Sequence, residues 1–424
     1  MTEFTRRALL AATVPAALAG CTFSTYNGSS RATADVALRT LIGEGENRQL
    51  AAAGFVVMKD GEVLSSAVAG TAAGLDSTEG IPSRPFTLET SFRAASISKM
   101  AVALAALRVD QNGGLGLDDS LYLAFPALLR NPLFDTDKPI TMRDLLAHTS
   151  TIQDPEEYWV PAPGDIKQLI HDGMYRMKDE AGGPLQYGPG EWFEYANFNY
   201  GIAASLLETA TSERFDLLVR DRVLFPLRLD AGFNWSGVSL GRRKAGATLY
   251  RKGADGWKVQ TDGPDILNDT DPFFLSDGEF DLSDYELGSN GTLFSPQGGM
   301  RANLIELAQL VAVVGRTPEL TEEVWQLNAD ASNGYHEGRV FQSFGTGVFR
   351  HEPVVSPWPG EMMVGHHGEA YGLYAGAWHL PRKGIEIAYV VTGTPEGEQP
   401  PGGVHPAFNI WEQSLLNIIR ATIS

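Results

Sequence analysis

Apolar residues recur along this chain at two spacings, and the change from one to the other outlines a mixed fold. From Ala32 to Ile42, Val36, Leu38, Leu41 and Ile42 mark a partly amphipathic helix that Gly43 and Gly45 end. The β-prone runs Phe55-Val56-Val57-Met58 and Val63 to Val68 then flank Lys59-Asp60-Gly61-Glu62, and an Asp-Gly turn between such runs predicts a hairpin. The Ala-rich run from Ser96 to Asp110 carries Met100, Ala103, Leu104 and Leu107 on one helical stripe, with Asn112-Gly113-Gly114 as its stop.

Between about 111 and 289 the rhythm breaks into short helices, Leu145-Leu146 and Tyr200 to Ala210 among them, joined by Pro/Gly-rich loops. The acidic stretch from Asp262 to Asp284 has few apolar repeats and reads as an irregular surface excursion. Periodicity returns with a helix from Leu304 to Val314, strands from Tyr371 to Leu380 and Ile385 to Val391 around Pro381-Arg382-Lys383-Gly384, and a last amphipathic helix from about Ala407 to Ile419. Strands and helices at both ends with a helix-rich middle predict an α/β (α+β) fold: an antiparallel sheet flanked by terminal helices, with an inserted helical lobe. The α/β domain would comprise residues 32–110 and 290–424, and the lobe residues 111–289.

Composition alters this picture little. With 43% hydrophobic and 20% charged residues among 424, most of the chain has the balance of a folded globular protein. The formal net charge of −19, scattered rather than gathered in a tail, gives a solvated surface and disfavours nucleic acid as a partner.

The first residues differ from the rest. Arg6-Arg7 precede an uncharged run from Ala8 to Gly20, the pattern of an export signal spanning residues 1–20. Leu18-Ala19-Gly20-Cys21 resembles the lipobox of bacterial lipoproteins, in which the Cys is acylated; an ordinary cleaved signal is the alternative. Cys21 is the only cysteine of the chain, so no intramolecular disulfide is available. Residues 21–31 then read as lipid anchor and Ser/Thr/Gly-rich tether, and Thr5-Arg6-Arg7 also resembles a twin-arginine signal. The expectation is an exported bacterial envelope protein on the periplasmic face, held to the membrane by its lipid.

The chemistry begins at Ser96-Ile97-Ser98-Lys99, where a hydroxyl and an amine three positions apart at a helix start can meet on one face. A serine is a weak nucleophile until a base takes its proton, and a desolvated Lys serves if its pKa falls. Alone the pattern is weak, since a Ser at a helix start is usually a cap.

The remaining segments add weight. Ser91 to Lys99 resembles the nucleophile segment of the serine β-lactamase-like family, closest to class C β-lactamases and related esterases and D-peptidases. Leu115 to Asp119, Ile140 to Ser150, Gly190 to Asn197, Ser295 to Met300 and Gly365-His366-His367-Gly368 are similar to further family segments in the same order, so the resemblance runs from about Phe55 to the carboxyl terminus.

The resemblance implies a β-lactamase/transpeptidase-like fold and acyl transfer to Ser96 from a small-molecule ester, amide or peptide, without metal or organic cofactor. It implies Tyr195 beside Ser96 and Lys99, the resting base being either Tyr195 or Lys99, and Asn197 bonded to Lys99 and to substrate. It puts His366 where β-lactamases carry Lys, on an edge strand lining the cleft, with Gly368 letting substrate approach that strand. The N–H groups of Glu369 and Ser96 would form the oxyanion hole. His148 is expected to be structural, and Thr151 stands where the family typically has Gly. β-Lactamase or D-Ala carboxypeptidase activity, or penicillin and peptidoglycan-fragment binding without turnover, are the competing readings. The paired histidines lack the third ligand of a metal site.

Overall fold

The computed structural model describes residues 28–123, 129, 131–134, 138–261, 282–335, 340–354, 356–397 and 399–423. The export signal, Cys21 and most of the acidic stretch lie outside these residues.

Nine strands make one antiparallel sheet: β1 (Ala52–Lys59), β2 (Glu62–Ala73), β3 (Arg84–Pro85), β4 (Trp325–Gln326), β5 (Ser343–Phe344), β6 (Phe349–His351), β7 (Met363–Ala370), β8 (Leu373–Leu380) and β9 (Ile385–Thr392). Their spatial order is β3-β2-β1-β9-β8-β7-β6-β5-β4. The first hairpin pairs with β9 from the far end of the chain, Val56 opposite Ala388, so the two termini complete one sheet.

Among the described residues, five longer helices pack around it: α1 (Gly28–Ile42), α2 (Ser98–Gln111), α3 (Phe198–Thr211), α4 (Leu304–Val314) and α5 (Ile410–Thr422). Strand β1 shows why its sequence reads as a continuous apolar run rather than an alternation. Ala52, Val56 and Met58 join a core with α2, α3 and α4 on one face, while Ala53, Phe55 and Val57 join a second core with α1 and α5 on the other. A strand covered on both faces has no polar side.

Helix α1 begins at Gly28, inside the expected tether, and its buried stripe is Ala34, Leu38 and Ile42; Val36 is 65% exposed. Helix α2 has no polar face over its first ten residues: Ser98 to Leu107 are all buried, and four alanines among them let neighbouring elements approach. Asn303 and Asn409 each close a capping box, with Glu306 and Glu412, which fixes where α4 and α5 begin.

The middle of the chain is not wholly helical. A hairpin of Leu249–Gly253 and Gly256–Thr261 lies within it and bonds to the sheet domain, Thr248 N–H donating to Ala72 and Lys252 N–H to Thr394. Short strands Phe92–Arg93 and Gly232–Phe233 also flank Met300–Ala302, tying the segment that leads to Ser96 to both parts of the chain.

Candidate active site

Strand Phe92–Arg93 delivers the chain to Ser96. Ala94 N–H donates to Met300 at 2.8 Å, Ala95 turns in the left-handed region at φ +48°, and a 3-10 turn, Ala95–Ile97, leads into α2. The helix proper thus starts two residues after Ser96. Ser98 Oγ accepts from Met300 N–H at 3.0 Å and pins this turn to the short strand behind it.

The Ser-x-x-Lys spacing brings Lys99 Nζ to 2.9 Å from Ser96 Oγ. The same nitrogen donates to Asn197 Oδ1 at 2.9 Å and to the Gln297 carbonyl at 3.0 Å, which fills its three donor positions. It lies 4.9 Å and 5.2 Å from the ring centres of Tyr195 and Tyr200. Lys99 is fully buried, and burial lowers its pKa to about 7 against the opposing pull of the Asp154 charge.

Tyr195 shares a hydrogen bond with the Ser96 side chain, and burial holds its phenol well above the ordinary range. Its ring is sandwiched between His148, centres 4.1 Å apart, and Phe341, centres 5.2 Å apart. The preceding residue is anchored separately. Glu194 takes both arms of the Arg176 guanidinium and the Trp192 indole N–H, while its own N–H donates to the His148 carbonyl at 2.8 Å. His148 Nδ1 accepts from Ala196 N–H at 3.1 Å, so imidazole and backbone grip Tyr195 from both sides.

The structure therefore gathers Ser96, Lys99, Tyr195 and Asn197 at one point. His366 lies near them but behind: it is 1% exposed, its ring centre is 6.3 Å from that of Tyr195, and Phe344 and Phe349 pack edge-on against it. Burial, then the nearby Lys99 charge, push its pKa well below the ordinary value, so it is a neutral wall residue rather than an exposed ligand contact.

Two further expectations change. Strand β7 is an edge only over its second half, because β6 pairs with Met363 to Gly365 and stops there. Gly368 is small for an internal reason: a Cβ there would stand 2.6 Å from the Ala94 carbonyl oxygen and 3.3 Å from Ile97 Cγ1. The glycine lets β7 lie against the turn that carries Ser96. Glu369 is the next residue, and its side chain turns to the opposite face with His367, toward Tyr374 and Glu412. As His366 and His367 also point to opposite faces, the pair cannot share a metal.

Asp154 is the residue that sequence reasoning missed. One oxygen accepts from Asn197 Nδ2 at 3.2 Å and the other from Phe198 N–H at 2.7 Å; burial, the largest influence, raises its pKa. No spacing rule marks it, since it follows the Ile140–Ser150 segment on a loop. Gln297 was visible only as part of a motif, and its contribution is a backbone carbonyl. Thr151 keeps the left-handed conformation, at φ +65°, that glycine adopts freely, so the turn is preserved.

The Beta-lactamase family model matches residues 38–404. Esterase EstB of Burkholderia gladioli is 31% identical over 199 residues, 44% of this chain and 48% of that protein. Protein flp of Staphylococcus aureus (strain MW2) is 30% identical over 146 residues, 33% of this chain and 27% of that protein. The chain thus aligns with about half or less of the length of these curated relatives. Among solved structures, D-amino acid amidase from Ochrobactrum anthropi SV3 superposes with a TM-score of 0.63 at 17% identity, covering 93% of this chain and 100% of that one. The octameric penicillin-binding protein homologue from Pyrococcus abyssi gives 0.60 at 19% identity, covering 88% and 74%. These likenesses show the fold, and the family match over most of the sequence shows that the chain belongs to the Beta-lactamase family.

Proposed function

We propose that this chain is a serine hydrolase that cleaves an ester or amide bond through an acyl-enzyme on Ser96. The observation that carries the reading is the 2.9 Å contact between Ser96 Oγ and an amine whose pKa burial has brought to about 7. Near neutrality a substantial fraction of Lys99 is unprotonated and its lone pair is available to the hydroxyl, whereas Tyr195 keeps its proton. Lys99 is therefore the resting base. Ser96 Oγ attacks the carbonyl as its proton passes to Lys99, and the N–H groups of Ser96 and Glu369 receive the oxyanion. Tyr195 donates its proton to the leaving oxygen or nitrogen and is reprotonated from Lys99. Water then attacks the acyl carbonyl by the reverse route: its proton passes through Tyr195 to Lys99, and Lys99 returns a proton to Ser96 Oγ as the acyl–serine bond breaks and the acid product leaves. Asn197 holds Lys99 in place and faces the substrate's flank.

EstB and the D-amino acid amidase carry names that speak of ester and amide bonds, which supports this substrate class over β-lactams. The neutral, buried His366 supports the same ranking, because it offers no fixed cation to a β-lactam carboxylate. Short-chain nitrophenyl esters should be turned over faster than a chromogenic cephalosporin, and Ser96→Ala should abolish both activities. The reverse order, or a long-lived acyl-enzyme with the cephalosporin, would return the protein to the class C-like or penicillin-binding reading.

Residues 6–21 support export and lipid anchoring at Cys21, toward the bacterial envelope. Among the described residues no helix is long and apolar enough to cross a membrane. Release of the Cys21→Ser protein into the soluble fraction is the expected result; unchanged membrane retention would overturn the anchor.

A further inference from the structure

The two-residue turn between β7 and β8 is built from Tyr371 and Gly372, both in the left-handed region at φ +50° and +84°. Such a turn suits Asn-Gly, and a bulky residue in its first position is held under strain. Tyr371 is also 49% exposed, so its ring gains little from burial in return. An exposed aromatic residue kept in a strained conformation calls for a use outside the fold.

Its surroundings supply one. The Arg93 guanidinium lies 5.3 Å from the Tyr371 ring centre, and Arg93 stands three residues before Ser96. Both line a cleft of about 380 Å³ together with Tyr158, Trp159 and Gln297, the last of which holds Lys99 through its carbonyl. Tyr158 lies close enough to Asp154, Tyr371 and Arg93 for their charges to act on its phenol, after burial, which raises its pKa most. Two exposed carboxylates, Glu156 and Glu157, belong to the same lining and oppose an anionic ligand.

We infer that this cleft is a clamp for the planar aromatic group of an uncharged ester or amide, with Tyr371 and Tyr158 as its stacking surfaces and Arg93 holding the Tyr371 ring in place. The inference rests on the hydrolase reading above and narrows it to aromatic substrates. A ring entering the cleft exchanges water for aromatic faces beside Gln297, the lining residue whose carbonyl binds Lys99 next to Ser96.

Two ethyl esters of equal bulk, ethyl phenylacetate and ethyl cyclohexylacetate, test aromaticity separately from size when hydrolysis is followed by acid release. The wild type should favour the phenyl ester in kcat/KM, and Tyr371→Asn and Tyr158→Leu should each reduce that preference about fivefold, the ordinary worth of one aromatic pair. Tyr371→Asn should at the same time raise the melting temperature, because Asn-Gly relieves the strained turn; a merely structural tyrosine would lower it. In calorimetry, the Ser96→Ala protein should bind phenylacetamide saturably and more weakly after Tyr371→Asn, a readout that needs no turnover. Equal kcat/KM for the two esters, or a preference untouched by both substitutions, would overturn the clamp while leaving the hydrolase standing if Ser96 still forms an adduct with a fluorophosphonate. Loss of that adduct with phenylacetamide binding intact would overturn the hydrolase reading and leave the cleft as a binding site.

Discussion

Asp154 accepts a hydrogen bond from the Asn197 side-chain amide at 3.2 Å, and Asn197 in turn accepts one from Lys99 at 2.9 Å. A carboxylate is thus one residue removed from the amine that faces Ser96. Burial drives Lys99 toward its neutral form, and the Asp154 charge pulls the other way. The balance between the two sets where the amine titrates.

Substituting Asp154→Asn removes that pull. The Lys99 pKa should fall further below about 7, and the acid limb of kcat/KM should move to lower pH by about one unit, read from rate–pH profiles of the two proteins. An unshifted limb would show that Lys99 does not govern it.

Lys99 carries a stability cost with a definite pH signature. Its folded pKa, about 7, lies below the 10.5 of an unperturbed lysine, so the unfolded chain binds the extra proton between those values. Stability therefore rises with pH across that window, and the burden of the buried charge is greatest below pH 7. Lys99→Met should abolish activity yet stabilise the protein more at pH 6 than at pH 10, by on the order of a few kcal/mol. Denaturant titration at the two pH values measures the difference; an equal effect at both would contradict the assignment.

His148 supports the phenol through its ring. His148→Asn keeps a residue tolerant of the left-handed backbone, at φ +61°, and an acceptor for Ala196, but removes the stack on Tyr195. The expected outcome is a fall in kcat of about tenfold with a stability loss of about 2 kcal/mol, comparing steady-state kinetics with urea unfolding. Unchanged kcat would reduce His148 to a packing residue.

Thr151 balances a strained backbone against a buried hydrogen bond, its Oγ1 accepting from Asn131 Nδ2 at 2.9 Å. Thr151→Gly relieves the strain and loses the bond, for a net change within about 1 kcal/mol. Thr151→Val keeps the strain, loses the same bond and should cost about 2 kcal/mol. Chemical denaturation of both variants checks the order.

Much of this arrangement was legible in the residues themselves. The hairpin around Asp60-Gly61, helix α4 and the closing strands follow from local pattern because each buries a regular face. Ser96 and Lys99 stood out by their three-residue spacing at a helix start, and Tyr195 and Asn197 only through the resemblance of their segment to the serine β-lactamase-like family. What escaped depends on contacts between distant segments. Asp154 matters through Asn197, 43 positions away, and Gln297 through a carbonyl that any residue type would supply. The reason for Gly368 lies in how closely β7 approaches Ala94, a distance that only the folded chain defines. His366 looked like a cleft residue because its motif borders the cleft; alternation does place it on the same face of β7 as Gly368, but Tyr195, Phe344 and Phe349 pack around it and leave it 1% exposed. Val36 fits a helical period and still faces solvent, since periodicity locates a face without saying what covers it.

In the proposed mechanism Lys99 activates Ser96. The most direct test of this step is the pH dependence of fluorophosphonate labelling, with the adduct located by peptide mass spectrometry. A single adduct on Ser96 is expected, its rate of formation climbing through about pH 7 as Lys99 loses its proton, with no adduct in Ser96→Ala. An adduct that survives Ser96→Ala, or a rate that stays flat between about pH 5.5 and 8.5, would contradict this mechanism.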